Sequence, residues 1–312
     1  MTLISNKRAE YFRLLSKNLY RDRWLYIFLI IPMTFYIIFR YVPMYGAIIA
    51  FQNFRLGDGI SGSEWVGLAN FQRLFRTPDF FMIVRNTLLL NVYALVFGFP
   101  VPIILAILLN EIRISAFKRT IQSIIYLPHF ISWVVLAGIF TQMLSPSTGI
   151  VNMILRSFGI EPIFFLASNF WWPIMFVISG IWQSAGWGSI IYLAAVSAID
   201  PELYEAARID GANKFRQIWH ITLPGIKATI AIMLILRMGT LMDVGFEHIW
   251  NLQNPAVHDV SDVISTYVFR VGIQGAQFSF TTAIGLFQSV ISLILVVAAN
   301  KIIRSMGENS LW

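Results

Sequence analysis

Long, uniformly apolar runs alternate with short polar segments along this chain. A helix needs about 20 mostly apolar residues to cross a bilayer, and six runs meet that requirement. They lie at about residues 24–43, 84–110, 121–144, 172–197, 227–250 and 280–303. A membrane β-barrel would instead show segments of about ten residues with alternating polarity. The pattern therefore predicts an all-α integral membrane protein with six transmembrane helices.

Composition agrees with a membrane location. Of the 312 residues, 57% are hydrophobic and 12% are charged, whereas soluble domains carry roughly 25% charged residues. A soluble domain of this size could not cover its surface with so few polar side chains, so soluble enzymes, disordered chains and nucleic-acid-binding domains are excluded. The sequence contains no cysteine, which excludes disulfides and thiolate metal sites.

The distribution of Lys and Arg predicts the orientation. With the N-terminus in the cytoplasm and six alternating spans, fifteen basic residues fall on the inside and six on the outside. Cytoplasmic loops carry the excess of Lys and Arg, so both termini are predicted to be cytoplasmic. The predicted organisation is a basic cytoplasmic segment at 1–23, a six-helix domain at 24–303 and a cytoplasmic tail at 304–312. Segment 1–23 is too long for the start of a simple signal peptide, so the first span is predicted to be retained.

The longest predicted cytoplasmic loop, residues 197–226, carries strong local signals. Asp200 suits a helix N-cap, and Pro201 suits the first helical position. Gly211 provides a left-handed exit, and a second short helix is predicted to start at Asn213 and to break at Leu223-Pro224. Its predicted apolar stripe consists of Phe215, Ile218, Trp219 and Thr222. The loop should therefore hold two short helices between the fourth and fifth spans.

One motif in this loop resembles a known family. Glu205-Ala206-Ala207 is followed after three residues by Gly211, and after nine more by Ile221-Thr222-Leu223-Pro224. This pattern resembles the EAA loop of ABC importer permeases, in which the loop is the coupling helix that docks into a cleft on the ATPase subunit. The resemblance implies a coupling role for Glu205, Ala206, Ala207, Asp210, Gly211, Ile221, Leu223 and Pro224. The plainer alternative is an amphipathic helix on the membrane surface, which would not require the small Ala206 and Ala207.

The resemblance covers most of the chain. The sequence is similar to carbohydrate-type permeases, in particular the LplB-type polysaccharide and oligosaccharide permeases. Segments 41–46, 244–249, 252–255, 262–268 and 311–312 carry this finer placement. It implies the fold of a type I ABC importer permease, multi-pass in the bacterial cytoplasmic membrane, that works by alternating access. The implied partners are a second permease subunit, two ATPase subunits that hold ATP and Mg²⁺, and an extracellular solute-binding protein. The chain itself would bind no cofactor and would catalyse no reaction.

Polar residues within the predicted spans are candidates for lining the substrate path, since intramembrane ionisable groups are functional candidates by default. In the fifth span, Asp243 and Glu247 are four residues apart and should share one helix face. Glu247 could instead be an interfacial residue, and we expect Arg237 to form a structural ion pair with a neighbouring helix. In the fourth span, Trp182, Gln183 and Trp187 could contact sugar, with ordinary helix packing as the alternative for the two tryptophans.

Other classes of function lack support in the sequence. The chain has no G-x-x-x-x-G-K-[ST] phosphate loop, so it should not hydrolyse ATP itself. Its four histidines are scattered, and we expect them to be structural, since zinc sites need three or four convergent ligands. The alternatives are an ABC permease for another solute, an ion-driven secondary transporter, whose usual internal repeat is not evident, and a membrane-embedded enzyme, for which no convergent catalytic set is found.

Overall fold

The computed structural model describes residues 17–18 and 20–305. The chain forms two compact units, Met1–Asn70 and Phe71–Trp312. Most of the predicted N-terminal segment 1–23, and residues 306–312 of the predicted C-terminal tail, lie outside the described residues.

The described residues are mainly helical. The α-helices of seven or more residues are α1 (Arg23–Tyr36), α2 (Ala69–Arg76), α3 (Phe80–Tyr93), α4 (Pro100–Glu111), α5 (Ser115–Tyr126), α6 (Trp133–Met143), α7 (Ile150–Ser157), α8 (Trp171–Ser197), α9 (Pro201–Ile209), α10 (Lys227–Gly239), α11 (Phe246–Leu252) and α12 (Phe278–Ser305). Shorter α-helical turns are Val42–Met44, Gly59–Gly62, Lys214–Gln217, Leu223–Gly225, His258–Ser261 and Ile264–Val268. Turns of π-helix are Ile37–Tyr41, Ala94–Gly98, Ile218–Thr222 and Phe269–Gln274, and turns of 3₁₀-helix are Tyr45–Phe51, Leu127–Phe130 and Pro255–Val257.

The described part of the first unit contains a long apolar helix and a small hairpin. Helix α1 continues through its π and 3₁₀ turns, so that one helix runs from Arg23 to Phe51. Strands β1 (Gln52–Asn53) and β2 (Glu64–Trp65) then pair antiparallel, with Gln52 opposite Trp65. The Asn70 amide donates to the carbonyls of Ala50 and Gln52 at 2.9 and 3.0 Å, which fastens the end of the hairpin to the end of the helix.

Four of the six predicted spans are continuous helices in the structure. They are Arg23–Phe51, Phe80–Glu111, Trp171–Ser197 and Phe278–Ser305. Each is at least 27 residues long, which at 1.5 Å rise per residue exceeds the roughly 30 Å of a bilayer core. The predictions of an all-α fold and of these four spans are confirmed.

The third predicted span, at about 121–144, is bent in the structure. The chain forms two helical stretches, Ser115–Phe130 and Trp133–Met143, that meet at an angle of 102°. Pro128 lies in the 3₁₀ turn that ends the first stretch, and Ile131 and Ser132 then have extended backbone. Pro128 has no backbone N–H and cannot donate to the Ile124 carbonyl, which weakens the helix just before the break.

The fifth predicted span, at about 227–250, is also not one straight helix in the structure. Helix α10 ends at Gly239, a turn follows, and α11 starts after Gly245, whose φ of +83° suits glycine. Toward its N-terminus, α10 is joined to the helical stretch Lys214–Gly225 at an angle of 60°. The expected break at Leu223-Pro224 moves to Ile226, because Pro224 stands in the first turn of a new α-helical segment, where proline is tolerated.

The core of the second unit forms around α8. Trp172 is fully buried and donates its indole N–H to the Leu252 carbonyl at 3.0 Å. Farther along, Gly186 of α8 lies so close to the Ile125 carbonyl that any Cβ at Gly186 would clash with that backbone oxygen. The glycine therefore allows α8 to contact α5 closely, as its small size leads one to expect. Helix α8 thus contacts the end of α11 near its own start and α5 near its middle.

Candidate functional site: the EAA segment and the aromatic cavity

Residues 200–226, here called the EAA segment, begin with a capped helix. The Asp200 side chain accepts a hydrogen bond from the Glu202 backbone N–H at 2.9 Å, and Pro201 occupies the first helical position. Such an N-cap typically contributes about 1 kcal/mol. The charges of Glu202 in the first turn and Arg208 in the last turn both interact favourably with the helix dipole. The predicted start of this helix is confirmed.

The end of α9 depends on Gly211. The N–H of Gly211 donates to the Arg208 carbonyl at 3.1 Å, and the N–H of Ala212 donates to the Ala207 carbonyl at 2.8 Å. These two bonds form the Schellman motif, which places a residue in the left-handed conformation just after the helix. Gly211 has φ +75°, and a Cβ there would meet no atom within 4 Å. The constraint at Gly211 is therefore its backbone conformation and not crowding within the chain.

The second half of the EAA segment is tied to the first and to α4. Asn213 caps the turn Lys214–Gln217 by accepting from the Arg216 N–H at 2.9 Å. The hydroxyl of Tyr204 lies 3.0 Å from the hydroxyl of Thr222, which links α9 to the stretch that follows. Lys214 Nζ is 2.6 Å from a carboxylate oxygen of Glu111, the last residue of α4. The segment is thus a braced unit rather than a free loop.

The residues predicted for coupling lie mostly on the surface of this braced unit. Glu205, Ala206, Asp210, Gly211 and Pro224 are exposed, and Ala207, Ile221 and Leu223 are half-buried. The predicted apolar stripe divides, because Thr222 is buried and Ile218 half-buried while Phe215 and Trp219 are 73% and 61% exposed. The rings of these two exposed residues stack on each other. The EAA segment therefore presents an acidic residue, small residues and an aromatic pair on its surface.

A second region with converging polar and aromatic groups is a cavity of about 470 Å³, here called the aromatic cavity. Its walls come from α3, α4, α8, α10, α11 and the break between α5 and α6. Polar and aromatic side chains in its lining include Asn91, His129, Trp133, Trp187, Arg237 and His248. A cavity of this size is typical of small-molecule sites.

Stacked rings form much of the wall of the aromatic cavity. His129 and Trp187 lie parallel, with ring centroids 4.8 Å apart. His248 is sandwiched between Trp133 and Phe176 at centroid distances of 3.5 and 3.9 Å. The broken third span supplies His129 and Trp133 to these stacks. The break between α5 and α6 therefore lies in the cavity wall and places both rings there.

Polar atoms complete the lining. The Gln183 amide donates to the backbone carbonyl of His129 at 3.3 Å, which satisfies a carbonyl that the helix break leaves free. Arg237 donates to Asn91 Oδ1 at 3.2 Å and to the Thr240 hydroxyl at 3.4 Å. The partner of Arg237 on the neighbouring helix is thus an amide, whereas the sequence led us to expect an acid.

The residues predicted to line the substrate path separate into two groups. Gln183 and Trp187 lie in the wall of the aromatic cavity. Trp182 lies outside this lining and packs edge to face with Phe140 at 5.7 Å. Asp243 stands in the turn after α10, where its carboxylate accepts from the Gly245 N–H at 3.0 Å, and Glu247 is exposed on α11. The prediction that Asp243 and Glu247 share one helix face is wrong, because Gly245 ends the intervening turn.

Sequence reasoning missed several residues of this cavity. Asn91 is an amide in the middle of an apolar span, and this is the sequence signal that points to it. The sequence predicts only structural roles for His129 and His248. Trp133 follows the unforeseen break. The residues that line the cavity lie up to 157 positions apart in the sequence, from Asn91 to His248. Their proximity therefore depends on helix packing, which local sequence patterns do not encode.

Residues 86–307 match the family described as binding-protein-dependent transport system inner membrane component. The matched stretch contains the EAA segment and the aromatic cavity. The chain belongs to this family. Members of this family are inner membrane components of transport systems that depend on a binding protein. The predicted family and the predicted membrane location are therefore confirmed.

Named relatives match the permease along nearly its whole length. It is 44% identical over 306 residues to the polygalacturonan/rhamnogalacturonan transport system permease protein YteP of Bacillus subtilis, a match that covers 98% of this chain and 95% of that one. Protein LplB of the same organism is also 44% identical, with 94% and 92% covered. A solved structure of a bacterial alginate ABC transporter in complex with an alginate pentasaccharide-bound periplasmic protein includes a chain with a TM-score of 0.86 and 40% identity, covering 95% of this chain and 99% of that chain.

Proposed function

We propose that this chain is one of two permease subunits of an ATP-driven, binding-protein-dependent importer of oligosaccharides or polysaccharide fragments. The observation that carries the proposal is the near-complete match to a polysaccharide transport permease, in a chain whose EAA segment is exposed and braced. The solved structure of the alginate transporter, with its pentasaccharide-bound periplasmic protein, supports the same class of cargo.

The EAA segment is the proposed contact with the ATPase. Exposed Glu205 would pair with a basic residue of that subunit, while Ala206 and Gly211 would allow close approach of its backbone. The Tyr204–Thr222 link and the Lys214–Glu111 ion pair would carry movement of α9 to the membrane helices. In this arrangement both termini and the EAA segment face the cytoplasm, in keeping with the distribution of Lys and Arg.

The aromatic cavity is the proposed section of the substrate path. Sugar rings present apolar C–H faces that the exposed part of Trp187 can cover, and amides such as Gln183 suit hydroxyl groups. Alternating access would expose this cavity first to the binding protein and then to the cytoplasm. This chain would supply half of the path and no covalent chemistry, while ATP and Mg²⁺ would be held by the separate ATPase subunits.

Reconstitution in liposomes tests the proposal. The chain is assembled with its second permease and two ATPase subunits, and a labelled oligosaccharide is supplied with the binding protein. We expect uptake that requires ATP, and no uptake when the chain is reconstituted alone. A non-hydrolysable ATP analogue serves as the matched control. Accumulation of sugar by the isolated chain would contradict the proposal, as would failure of the chain to co-purify with any ATPase subunit.

A further inference from the structure

The guanidinium of Arg237 contacts only neutral partners in the aromatic cavity. Arg237 belongs to the last turn of α10 and is half-buried. Its two hydrogen bonds go to the Asn91 amide oxygen and the Thr240 hydroxyl, at 3.2 and 3.4 Å. Among residues 17–18 and 20–305, no carboxylate lies within 4.0 Å of it. A guanidinium has five N–H donors, so donors remain for a ligand.

The charge of Arg237 is permanent, because arginine does not lose its proton in proteins. A charged side chain in the membrane costs about 2.5–3.5 kcal/mol on insertion scales, and such residues typically face a water-filled path and mark it as functional. Asp243 acts on this charge from a distance. Its carboxylate is exposed and already accepts from the Gly245 N–H. Arg237 therefore keeps a positive charge that is directed to the cavity.

The other lining residues do not offset this charge. The lining of the aromatic cavity contains no Asp or Glu, and its remaining polar side chains are amides, hydroxyls and histidines. Such a cavity favours an anion. The stacked His129 and Trp187 rings and the Gln183 amide at the same time suit a sugar ring and its hydroxyls.

Arg270 shows how this chain neutralises an arginine that has a structural role. Its two terminal nitrogens lie 3.1 and 2.7 Å from the two carboxylate oxygens of Asp262, which is fully buried. That bidentate pair holds the pKa of Arg270 above its usual value, mainly through the hydrogen bonds to Asp262. Arg237 lacks such a partner although it lies in a membrane-spanning helix. The contrast indicates that the carboxylate for Arg237 comes from outside the chain.

We propose that Arg237 is a specificity-determining residue that binds a carboxylate of the transported carbohydrate, so that the cargo consists of oligosaccharides containing uronic acid units. A planar carboxylate fits a guanidinium through two parallel hydrogen bonds. Trp187 would cover the C–H face of the sugar, and Gln183 would meet its hydroxyls. This inference rests on the proposed function and adds to it the charge of the cargo.

The test uses the full complex in liposomes, with a trisaccharide of galacturonic acid and its fully methyl-esterified form as matched acidic and neutral cargo. The affinity of the binding protein for each form is measured separately, and uptake is compared at equal occupancy of that protein. We expect wild type to take up the acidic form at least about tenfold faster. Arg237→Gln should lower uptake of the acidic form at least about tenfold, because a hydrogen-bonded charge pair is lost, and leave uptake of the ester within about twofold.

Two further variants isolate the cause. Arg237→Lys keeps the charge but loses the two-bond geometry, so its uptake of the acidic form should fall between those of wild type and Arg237→Gln. Arg119→Gln removes an exposed arginine of α5 outside the cavity and should match wild type. Co-purification of all subunits is measured for each variant.

The outcomes separate this inference from the proposed function. Equal loss of both cargoes in Arg237→Gln, or no loss of either, would overturn the role of Arg237 while transport itself stands. Wild-type uptake of the ester at the rate of the acidic form would overturn the acidic cargo in the same way. Absence of ATP-dependent wild-type uptake for both sugars, although the binding protein holds them, would overturn the proposed function as well.

Discussion

The EAA segment and the aromatic cavity are built by different means. The EAA segment takes its shape from signals within 27 consecutive residues (200–226), including the caps at Asp200 and Asn213 and the left-handed Gly211. The aromatic cavity takes its shape from five helices and a helix break, and its residues are far apart in sequence. A surface built from consecutive residues can be encoded locally, whereas a cavity that joins distant residues depends on how whole helices pack.

The largest expected effect concerns the charge of Glu205. If this exposed carboxylate pairs with a basic residue of the ATPase, Glu205→Lys should lower substrate-stimulated ATPase activity of the assembled complex more than about thirtyfold, since it replaces attraction by repulsion. Glu161→Lys, an equal charge reversal at another exposed residue, is the matched control. The affinity of the binding protein for sugar should not change. Normal stimulated activity in Glu205→Lys would remove the EAA segment from the coupling path.

A somewhat smaller effect is expected at Gly211. A side chain in the left-handed conformation costs roughly 1–2 kcal/mol, and a β-branched residue is particularly unfavourable there. Gly211→Val should therefore disturb the end of α9 and reduce stimulated ATPase activity roughly five- to thirty-fold. Gly211→Asn, which tolerates this conformation, should retain most activity. Since no atom of the chain lies near a Cβ at this position, equal loss in both variants would indicate that the ATPase itself occupies that space.

These two predictions concern the region that the sequence describes well. The N-cap at Asp200, the turn at Gly211 and the start at Asn213 all follow from residue types that act on their immediate neighbours. The sequence predicts the four continuous spans equally well, because their apolar runs are long and uninterrupted. It does not predict the bends in the two broken spans, since a run of apolar residues has the same pattern whether the helix is straight or bent.

Two tryptophans of α8, Trp187 and Trp182, differ in whether they line the aromatic cavity. Only Trp187 lies in the wall of the aromatic cavity, while Trp182 packs on Phe140 outside it. Trp187→Ala should raise the substrate concentration for half-maximal uptake about fivefold, from loss of about 1 kcal/mol of ring contact. Trp182→Ala should leave that concentration unchanged. Equal effects in uptake assays of the two variants would place the sugar path elsewhere on α8.

The smallest effect is expected at Glu247. This residue was a candidate for lining the path, but in the structure it is exposed on α11 and absent from the lining of the aromatic cavity. Exposed substitutions typically change free energies by less than about 0.5 kcal/mol, so Glu247→Ala should leave uptake within about twofold of wild type. Glu247→Gln separates charge from size in the same uptake assay. A tenfold loss in both variants, with normal assembly, would restore Glu247 as a contact with the cargo.

The location of the polar residues explains why the sequence could not rank them. Asp243 and Glu247 are conspicuous because they are charged, yet they lie outside the lining of the aromatic cavity. Asn91 and His129 are less prominent in the sequence, yet both form part of the wall of the aromatic cavity. Spacing along a helix predicts a shared face only where the helix is continuous, and the turn at Gly245 removes that condition.

The bend in the third span has a consequence that we expect for the entry of the chain into the bilayer during synthesis. Backbone groups without hydrogen bonds cost several kcal/mol each in hydrocarbon, and the His129 carbonyl beside the 102° break accepts its hydrogen bond from the Gln183 amide of α8. We therefore expect membrane integration to be cooperative, with the broken third span settling only after α8, which is translated later, has entered. For this protein the order of synthesis and the order of stable insertion would differ.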